Sequence, residues 1–438
     1  MNQQEITEAP SSTYAKELTL QILQDLAEGK ELENVNLRLW DGSYWPDECP
    51  RAATVVLNRP SALREMLLPG TEVGLGEAFI HSAFDVEGDL ESAFELGDVI
   101  IAQTEGWSKK LKMGYLLTRL PQAENNSSQA LDRTAHLTGQ QHSLKRDREA
   151  IRFHYDLSNN FYRLWLDEAM VYSCALFSRK DEDLDAAQIH KLDHICRKLG
   201  LKRDDRLLDI GCGWGGLLLH AAQNYGIRGE GITLSEKQAE FARARIVAAG
   251  LQDRLSIRIQ DYREVKEWDS YDAISSVGMV EHVGRTKLPD YFQQAWRLLK
   301  PGGLFLNHGI GLGPIPQPDQ SGSFIQQYVF PDTDLRSIGE ILGVAEASRF
   351  EIRDVESLRE HYALTLRIWV TRLEQHHKEA LQYVEEPVYR IWRLYMAGCA
   401  HGFQIGQLSV YQTLLTKLTS DGTSRAPMTR DPWYRLKS

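Results

Sequence analysis

Between Leu207 and Leu306, short apolar runs alternate with segments whose apolar residues recur every three or four positions, the pattern of a parallel sheet flanked by helices. Strands are expected at 206–210, 229–233, 255–259, 271–277 and 303–308. Helices are expected to begin near Gly215 and after Ser235, and to run from about Thr286 to Lys300, where Pro301-Gly302-Gly303 stops the last of them. Upstream the pattern changes. Leu18, Ile22, Leu23 and Leu26 give one apolar face to a helix over 14–28 that ends at Gly29. Val35, Leu37 and Leu39 alternate with polar or aromatic neighbours ahead of the hairpin signature Asp41-Gly42, and Ala53 to Leu57 reads as another strand. Short apolar runs punctuated by glycine continue from Glu72 to Glu95 and onward to about Leu120.

The chain is therefore expected to hold a small α+β domain at 1–120, a linker at 121–147 rich in Gln, Asn, Ser and charge, an α/β domain at 148–419, and a loose tail at 420–438. A connection from Gly309 to Gly322 carries Pro314, Pro316 and Pro318 and has the length and position of a lid. Aromatic-rich helical patterns follow at 357–382 and 387–403. Within Gly106 to Arg119, Trp107, Leu111, Tyr115, Leu116 and Leu117 are interleaved with Lys109, Lys110, Lys112 and Arg119, with no acid after Glu105. That helix fits either an anionic bilayer or an ordinary solvated surface with its apolar side on a core.

At 438 residues there is ample chain for a hydrophobic core, and the net charge of −11 argues against a nucleic-acid partner bound by bulk electrostatics. Cysteines at 49, 174, 196, 212 and 399 are odd in number and lack zinc-type spacing, so a reducing cytoplasm is expected and a metal centre is not. The adjacent pair His376-His377 diverges on a helix and does not change that expectation. The polar, acidic first ten residues carry no apolar leader pattern, and no run approaches the ~18 apolar residues of a spanning helix.

Candidate chemistry centres on Leu207-Leu208-Asp209-Ile210-Gly211-Cys212-Gly213-Trp214-Gly215-Gly216-Leu217, a buried strand, a glycine turn and a helix start. A nicotinamide cofactor requires an acid at the end of the second strand, but that strand ends in Thr233, and Glu230 lies near its start. An acid directly before the glycines, Asp209-x-Gly-x-Gly, resembles instead the first motif of class I S-adenosylmethionine-dependent methyltransferases. Asp209 then serves the methionyl end of the cofactor, and Asp261, just after the third strand, the adenine amine. Ser235-x-x-Gln238 is a capping box, so Gln238 fits a helix cap and a cofactor contact equally well.

Four further blocks extend the resemblance: Phe153-His154-Tyr155-Asp156-Leu157, Tyr172-Ser173-Cys174-Ala175, Gly278-Met279-Val280-Glu281-His282-Val283-Gly284, and Leu306-Asn307-His308-Gly309-Ile310-Gly311. In this order they closely resemble the cyclopropane-fatty-acid synthases and mycolic acid methyltransferases over about 148–415, and more loosely the lipid-binding extension of the bacterial enzymes upstream. The resemblance implies a class I methyltransferase (Rossmann-like) domain with helical lipid-pocket additions. It implies methyl transfer from S-adenosylmethionine to the double bond of an unsaturated phospholipid acyl chain, through a carbocation deprotonated by bound bicarbonate. By motif position the bicarbonate site comprises Cys174, Glu281, His308, Ile310 and Tyr362, and the cofactor contacts are Tyr172, Ser173, Gly211, Gly213, Thr233 and Gln238. A homodimer bound peripherally to the inner face of the membrane is implied as well.

Taken singly these residues have ordinary explanations: a buried thiol for Cys174, a surface pair for Glu281 and His282, a core histidine for His308, and helix packing for Tyr362 and Trp369. Their joint placement near strand ends favours a site. One departure stands out, because the family often has threonine where this chain has Gly309. That substitution bears on how the base sits, and leaves open a methylene- or methyl-branched product. An N-methyltransferase of small amines and a non-catalytic lipid-binding protein are the remaining alternatives.

Overall fold

The computed structural model describes residues 12–27, 32–103, 107–123, 137–155, 157–316 and 322–434. Of the expected linker, residues 124–136 lie outside the described residues, and a helix, Leu144–Tyr155, already begins within its last part. The chain groups into two units: residues up to 134 with 321–324 and 385–401, and residues 135–320, 325–384 and 402 onward.

In the first unit, the helix Ser12–Leu26 buries Leu18, Ile22, Leu23 and Leu26, the face its spacing predicted. Strands β1 (Val35–Arg38), β2 (Tyr44–Trp45), β3 (Ala53–Leu57) and β4 (Phe84–Gly88) form a sheet in the order β2-β1-β3-β4. Gly42, at φ +87°, lets the chain reverse between β1 and β2. Strand β4 is an edge, and its carbonyls are covered by arginines of the helix Glu386–Gln404. Arg390 donates to the Phe84 carbonyl at 2.9 Å and to Asp85 Oδ2 at 2.8 Å, and Arg393 donates to the Val86 carbonyl at 2.9 Å. Residues 386–401, expected inside the 148–419 domain, thus group with this unit.

The second unit is built on β5 (Arg206–Ile210), β6 (Arg228–Thr233), β7 (Leu255–Ile259), β8 (Tyr271–Val277), β9 (Leu299–Leu312), β10 (Glu351–Ser357) and β11 (Leu408–Thr416). Their order is β10-β11-β9-β8-β5-β6-β7, parallel from β9 to β7, with β11 and β10 added antiparallel. Successive residues of a strand feed opposite faces. Leu207, Leu306 and Leu414 join one core with Leu218 and Ile257, while Leu208, Phe305 and Leu415 join the other with Phe292 and Ile274. Burial on both faces is why β5 and β9 carry the apolar runs Leu207-Leu208 and Leu304-Phe305-Leu306. Strand β9 continues four residues past its expected end, because β11 pairs with it as far as Leu312. The connection expected to start at Gly309 therefore starts after Leu312, and its residues 317–321 lie outside the described residues.

The segment expected to be a loose tail is fixed in place as far as residue 434. Trp433 is 3% exposed within the first of these cores, and its carbonyl lies 3.3 Å from His194 Nδ1. Tyr434 donates to Glu356 at 2.6 Å, and the buried Lys198 bridges Glu356 and Asp354.

Candidate active site

Five parallel strands end along one edge of the larger sheet, and most of the candidate residues sit there. Asp209 lies at the end of β5, Thr233 closes β6, Asp261 follows β7, Glu281 follows β8, and His308 pairs with Val277, the last residue of β8. Open α/β sheets bind ligands at this edge.

The turn after β5 takes left-handed φ values of +77° at Gly211, +53° at Gly213 and +78° at Gly215 before the helix Gly216–Tyr225 begins. The amides of Gly211 and Cys212 both donate to the Ile232 carbonyl, so the turn is tied to β6. No atom lies within 4 Å of where a Gly213 side chain would start, which leaves an open cradle beside the helix start. Asp209 is buried and accepts from Ser275 Oγ at 2.7 Å; burial pushes its carboxyl up to about 6. Gln238 resolves the two readings of its motif. Its backbone amide donates to Ser235 Oγ as in a cap, but its side-chain oxygen accepts from Thr233 Oγ1 at 2.9 Å instead of closing the box. Asp261 is held by Arg263 at 2.7 and 2.8 Å, and Arg263 also reaches Asp147.

A second group surrounds β9. Glu281 is buried on the turn Val280–His282, its Oε1 accepts from the Ile310 amide at 3.4 Å, and its Oε2 has no protein partner among the described residues. Burial raises its carboxyl to about 7. His308 is buried as well, and burial lowers its imidazole to about 3, so it is neutral at working pH. Gln412 Nε2 donates to His308 Nδ1 at 3.2 Å, which puts the ring proton on Nε2, and that nitrogen has no acceptor among the described residues. A buried donor and a buried carboxyl oxygen are thus both left without a protein partner among the described residues. An N–H donor and a carboxyl oxygen are the group types that the oxygens and the hydroxyl of a small hydroxylated oxyanion would engage. Cys174 is fully buried and its thiol is held well above the usual range by burial, so it donates, to the Ala175 carbonyl at 3.2 Å and the Leu358 carbonyl at 3.7 Å, and is no nucleophile. Leu358 in turn donates to Val410 of β11 and accepts from Tyr362 N, which links Cys174 and Tyr362 to the strand carrying Gln412.

An aromatic wall joins the two groups. Trp214 of the glycine loop packs on Tyr162 at 4.9 Å, Tyr162 on Tyr172 at 5.9 Å, Tyr172 on Trp369 at 5.3 Å, and Trp369 on Tyr362 at 6.1 Å between ring centres. Such a wall excludes water and offers π faces to positive charge.

Sequence reasoning missed Lys191, Ser275 and Gln412. Lys191 is buried, donates to Ser173 Oγ at 2.9 Å, and is lowered to about 8 by burial. The signal was present: Lys191 interrupts the apolar stripe of the helix Leu184–Lys198, between Gln188 and Ile195, which both face the core.

The fold and geometry agree with a family match. The model of mycolic acid cyclopropane synthetase matches residues 142–413. The chain belongs to this family. A probable fatty acid methyltransferase of Pseudomonas putida is 39% identical over 404 residues, covering 92% of this chain and 96% of that protein. The tuberculostearic acid methyltransferase UfaA1 of Mycobacterium tuberculosis is 32% identical, covering 86% of each chain. Among solved structures, the cyclopropane synthase MmaA2 from Mycobacterium tuberculosis superposes with a TM-score of 0.59 at 32% identity, over 65% of this chain and 99% of that one. The mycolic acid cyclopropane synthase CmaA1 complexed with SAH and CTAB gives 0.58 at 34% identity, over 62% and 98%. This synthetase-family protein is accordingly an S-adenosylmethionine-dependent methyltransferase with a Rossmann-like α/β fold.

Proposed function

We propose that the protein is a cyclopropane-fatty-acyl-phospholipid synthase, acting on the double bond of an unsaturated acyl chain. The observation that carries this reading is the pair of unsatisfied buried groups, His308 Nε2 and Glu281 Oε2, at the strand-end edge beside the aromatic wall. Methyl transfer to an amine needs no buried oxyanion site, whereas ring closure needs a base held away from water.

S-adenosylmethionine, when bound, supplies an electrophilic methyl on a sulfonium. Gly211, Gly213, Thr233 and Gln238 line its cradle, Asp209 and Ser173 stand at the methionyl end, and Asp261 with Arg263 at the adenine end. An alkene is a weak nucleophile, so its chief help is placement: well-aligned reactants gain up to ~7–11 kcal/mol over free encounter. Attack leaves a cation on the acyl chain, and Tyr172, Trp369 and Tyr362 keep water from it while presenting π faces. Bicarbonate, when bound, would supply the base for a proton of the transferred methyl. His308 Nε2–H would donate toward that base and Glu281 Oε2 would accept from it, while the Ile310 amide holds Glu281 Oε1, and a Glu281 carboxyl near neutrality would let the network take up the proton. Cys174 and Tyr362 close its far side. A homodimer docked at the cytoplasmic membrane surface suits a phospholipid substrate, and among the described residues no helix is long and apolar enough to cross a membrane.

A second reading, a methylene- or methyl-branched product, is favoured by Gly309. A Cβ there would meet Val280 Cγ1 at 2.2 Å and Glu281 Oε2 at 3.4 Å, so the lack of a side chain alters the ground on which Glu281 rests. The name of the similar tuberculostearic acid methyltransferase supports this second reading as well. Proton NMR of lipid extracted after incubation with unsaturated phospholipid and S-adenosylmethionine decides between them. Upfield ring-methylene signals support the synthase; vinylidene signals in their place support the branching enzyme, and transfer only to an added amine would sink both.

A further inference from the structure

Lipid chemistry at a buried site requires that the protein meet a lipid surface, and the first unit carries a surface with the right character. On the helix Trp107–Thr118, Trp107 is 84% exposed, Leu111 68% and Tyr115 63%. Few large apolar side chains elsewhere reach such exposure, and these three recur at i, i+4 and i+8, within ~80° of one helix face. The opposite face is buried through Leu116 and Leu117 and continues to Leu120. Arg64 ties the end of this helix down by donating to the carbonyls of Thr118 at 3.0 Å and Leu120 at 2.8 Å. The exposed stripe is therefore displayed on a fastened helix.

Its flanks are basic. Lys110 borders the stripe on one side, Lys112 and Arg119 border it on the other, and no acid occurs between 107 and 119. Lys112 is held by Asp25 at 2.8 Å, and the Arg119 guanidinium stands 5.8 Å from the Tyr115 ring centre. This cationic strip belongs to a chain of net charge −11. A protein partner would need a groove shaped to a protruding ridge, whereas a fluid bilayer moulds around one. Tryptophan and tyrosine also favour the headgroup level, and lysines beside them meet anionic headgroups.

We infer that Trp107, Leu111 and Tyr115, flanked by Lys110, Lys112 and Arg119, dock this protein on an anionic phospholipid bilayer. The inference deepens the proposed function by naming where its lipid is met, and it rests on that reading only for its purpose. The docking itself stands on exposure and charge.

The test is cosedimentation of the full-length protein with unilamellar vesicles, either unsaturated phosphatidylcholine alone or mixed with phosphatidylglycerol, without added S-adenosylmethionine. Wild type is expected to bind the mixed vesicles at least tenfold better than the neutral ones, with binding falling as salt rises. The triple variant W107S/L111S/Y115S and the charge variant K110E/R119E are each expected to lose at least tenfold, while Trp268→Ser, an exposed tryptophan elsewhere, changes nothing. An unchanged thermal unfolding midpoint shows that the variants are folded. Wild-type affinity in both stripe variants overturns the inference. A change of oligomeric state in the triple variant with vesicle binding intact also overturns it, and assigns the stripe to a second copy of the chain. Because binding is read without turnover, an enzyme that docks through the stripe but methylates no lipid supports this inference while refuting the substrate reading.

Discussion

Replacing Glu281 by glutamine should stabilise the protein above neutral pH while removing its activity. The carboxyl is buried, rests on one long hydrogen bond from Ile310, and is raised from 4.5 to about 7. A carboxyl whose folded value lies above its unfolded one is protonated in both states below pH 4.5, so the fold is at full stability there. As pH rises from 4.5 toward 7, the unfolded chain ionises freely while the folded one resists, and stability is withdrawn; above about 7 the whole cost is present. Each tenfold weakening of a carboxyl's acidity on folding is worth about 1.4 kcal/mol, so the ionised side chain costs the fold about 3 kcal/mol at pH 8 and under about 1 kcal/mol at pH 5. Glu281→Gln keeps the shape and removes the charge. Urea unfolding of wild type and variant at pH 5 and pH 8 measures the difference, with the variant expected to gain about 3 kcal/mol at the higher pH and little at the lower. A variant that is no more stable at pH 8, or a gap of the same size at both pH values, would refute the reasoning.

On the proposed mechanism, in which the imidazole serves the base and not the cradle, His308→Ala should lower kcat by a factor of about 10² to 10⁴ and leave the KM for S-adenosylmethionine nearly unchanged, as initial rates over a range of cofactor concentrations will tell. Gly213→Ala forces a side chain to φ +53° at a cost of about 1–2 kcal/mol and intrudes on open space. Calorimetric titration with S-adenosylhomocysteine should then show affinity falling by at least tenfold. Trp433→Ala should cost about 3–5 kcal/mol in urea unfolding, since the ring is buried in a sheet-face core; a loss below about 1 kcal/mol would mean that the C-terminal segment is not held.

Strands β5 and β9 were legible because each carries an apolar run, Leu207-Leu208 and Leu304-Phe305-Leu306, and the glycine turn because its left-handed angles admit little else. The ends of the elements were not. Strand β9 runs on to Leu312 because β11, about a hundred residues later, pairs with it, and local pattern carries no trace of that partner. Trp433 sits among polar and proline-flanked neighbours, so nothing local announces its burial. The helix at Glu386–Gln404 read as an aromatic-rich helix, but that Arg390 and Arg393 cover the edge strand β4 is a matter of tertiary contact. In the site, the residues quoted from motifs lie at strand ends or on the elements packed beside them, whereas their supports, Ser275 on Asp209 and Gln412 on His308, come from other strands of the sheet. Gln238 was balanced between two roles in sequence, and only its bond to Thr233 separates them.

The central claim is that the residues around His308 and Glu281 serve to remove a proton from the newly transferred methyl group. Incubation of the enzyme with unsaturated phospholipid and S-adenosylmethionine bearing a fully deuterated methyl, followed by mass spectrometry of the acyl chains, tests it directly. Retention of two of the three deuterons in the lipid product is the predicted result; retention of all three, or no label in lipid, would contradict it.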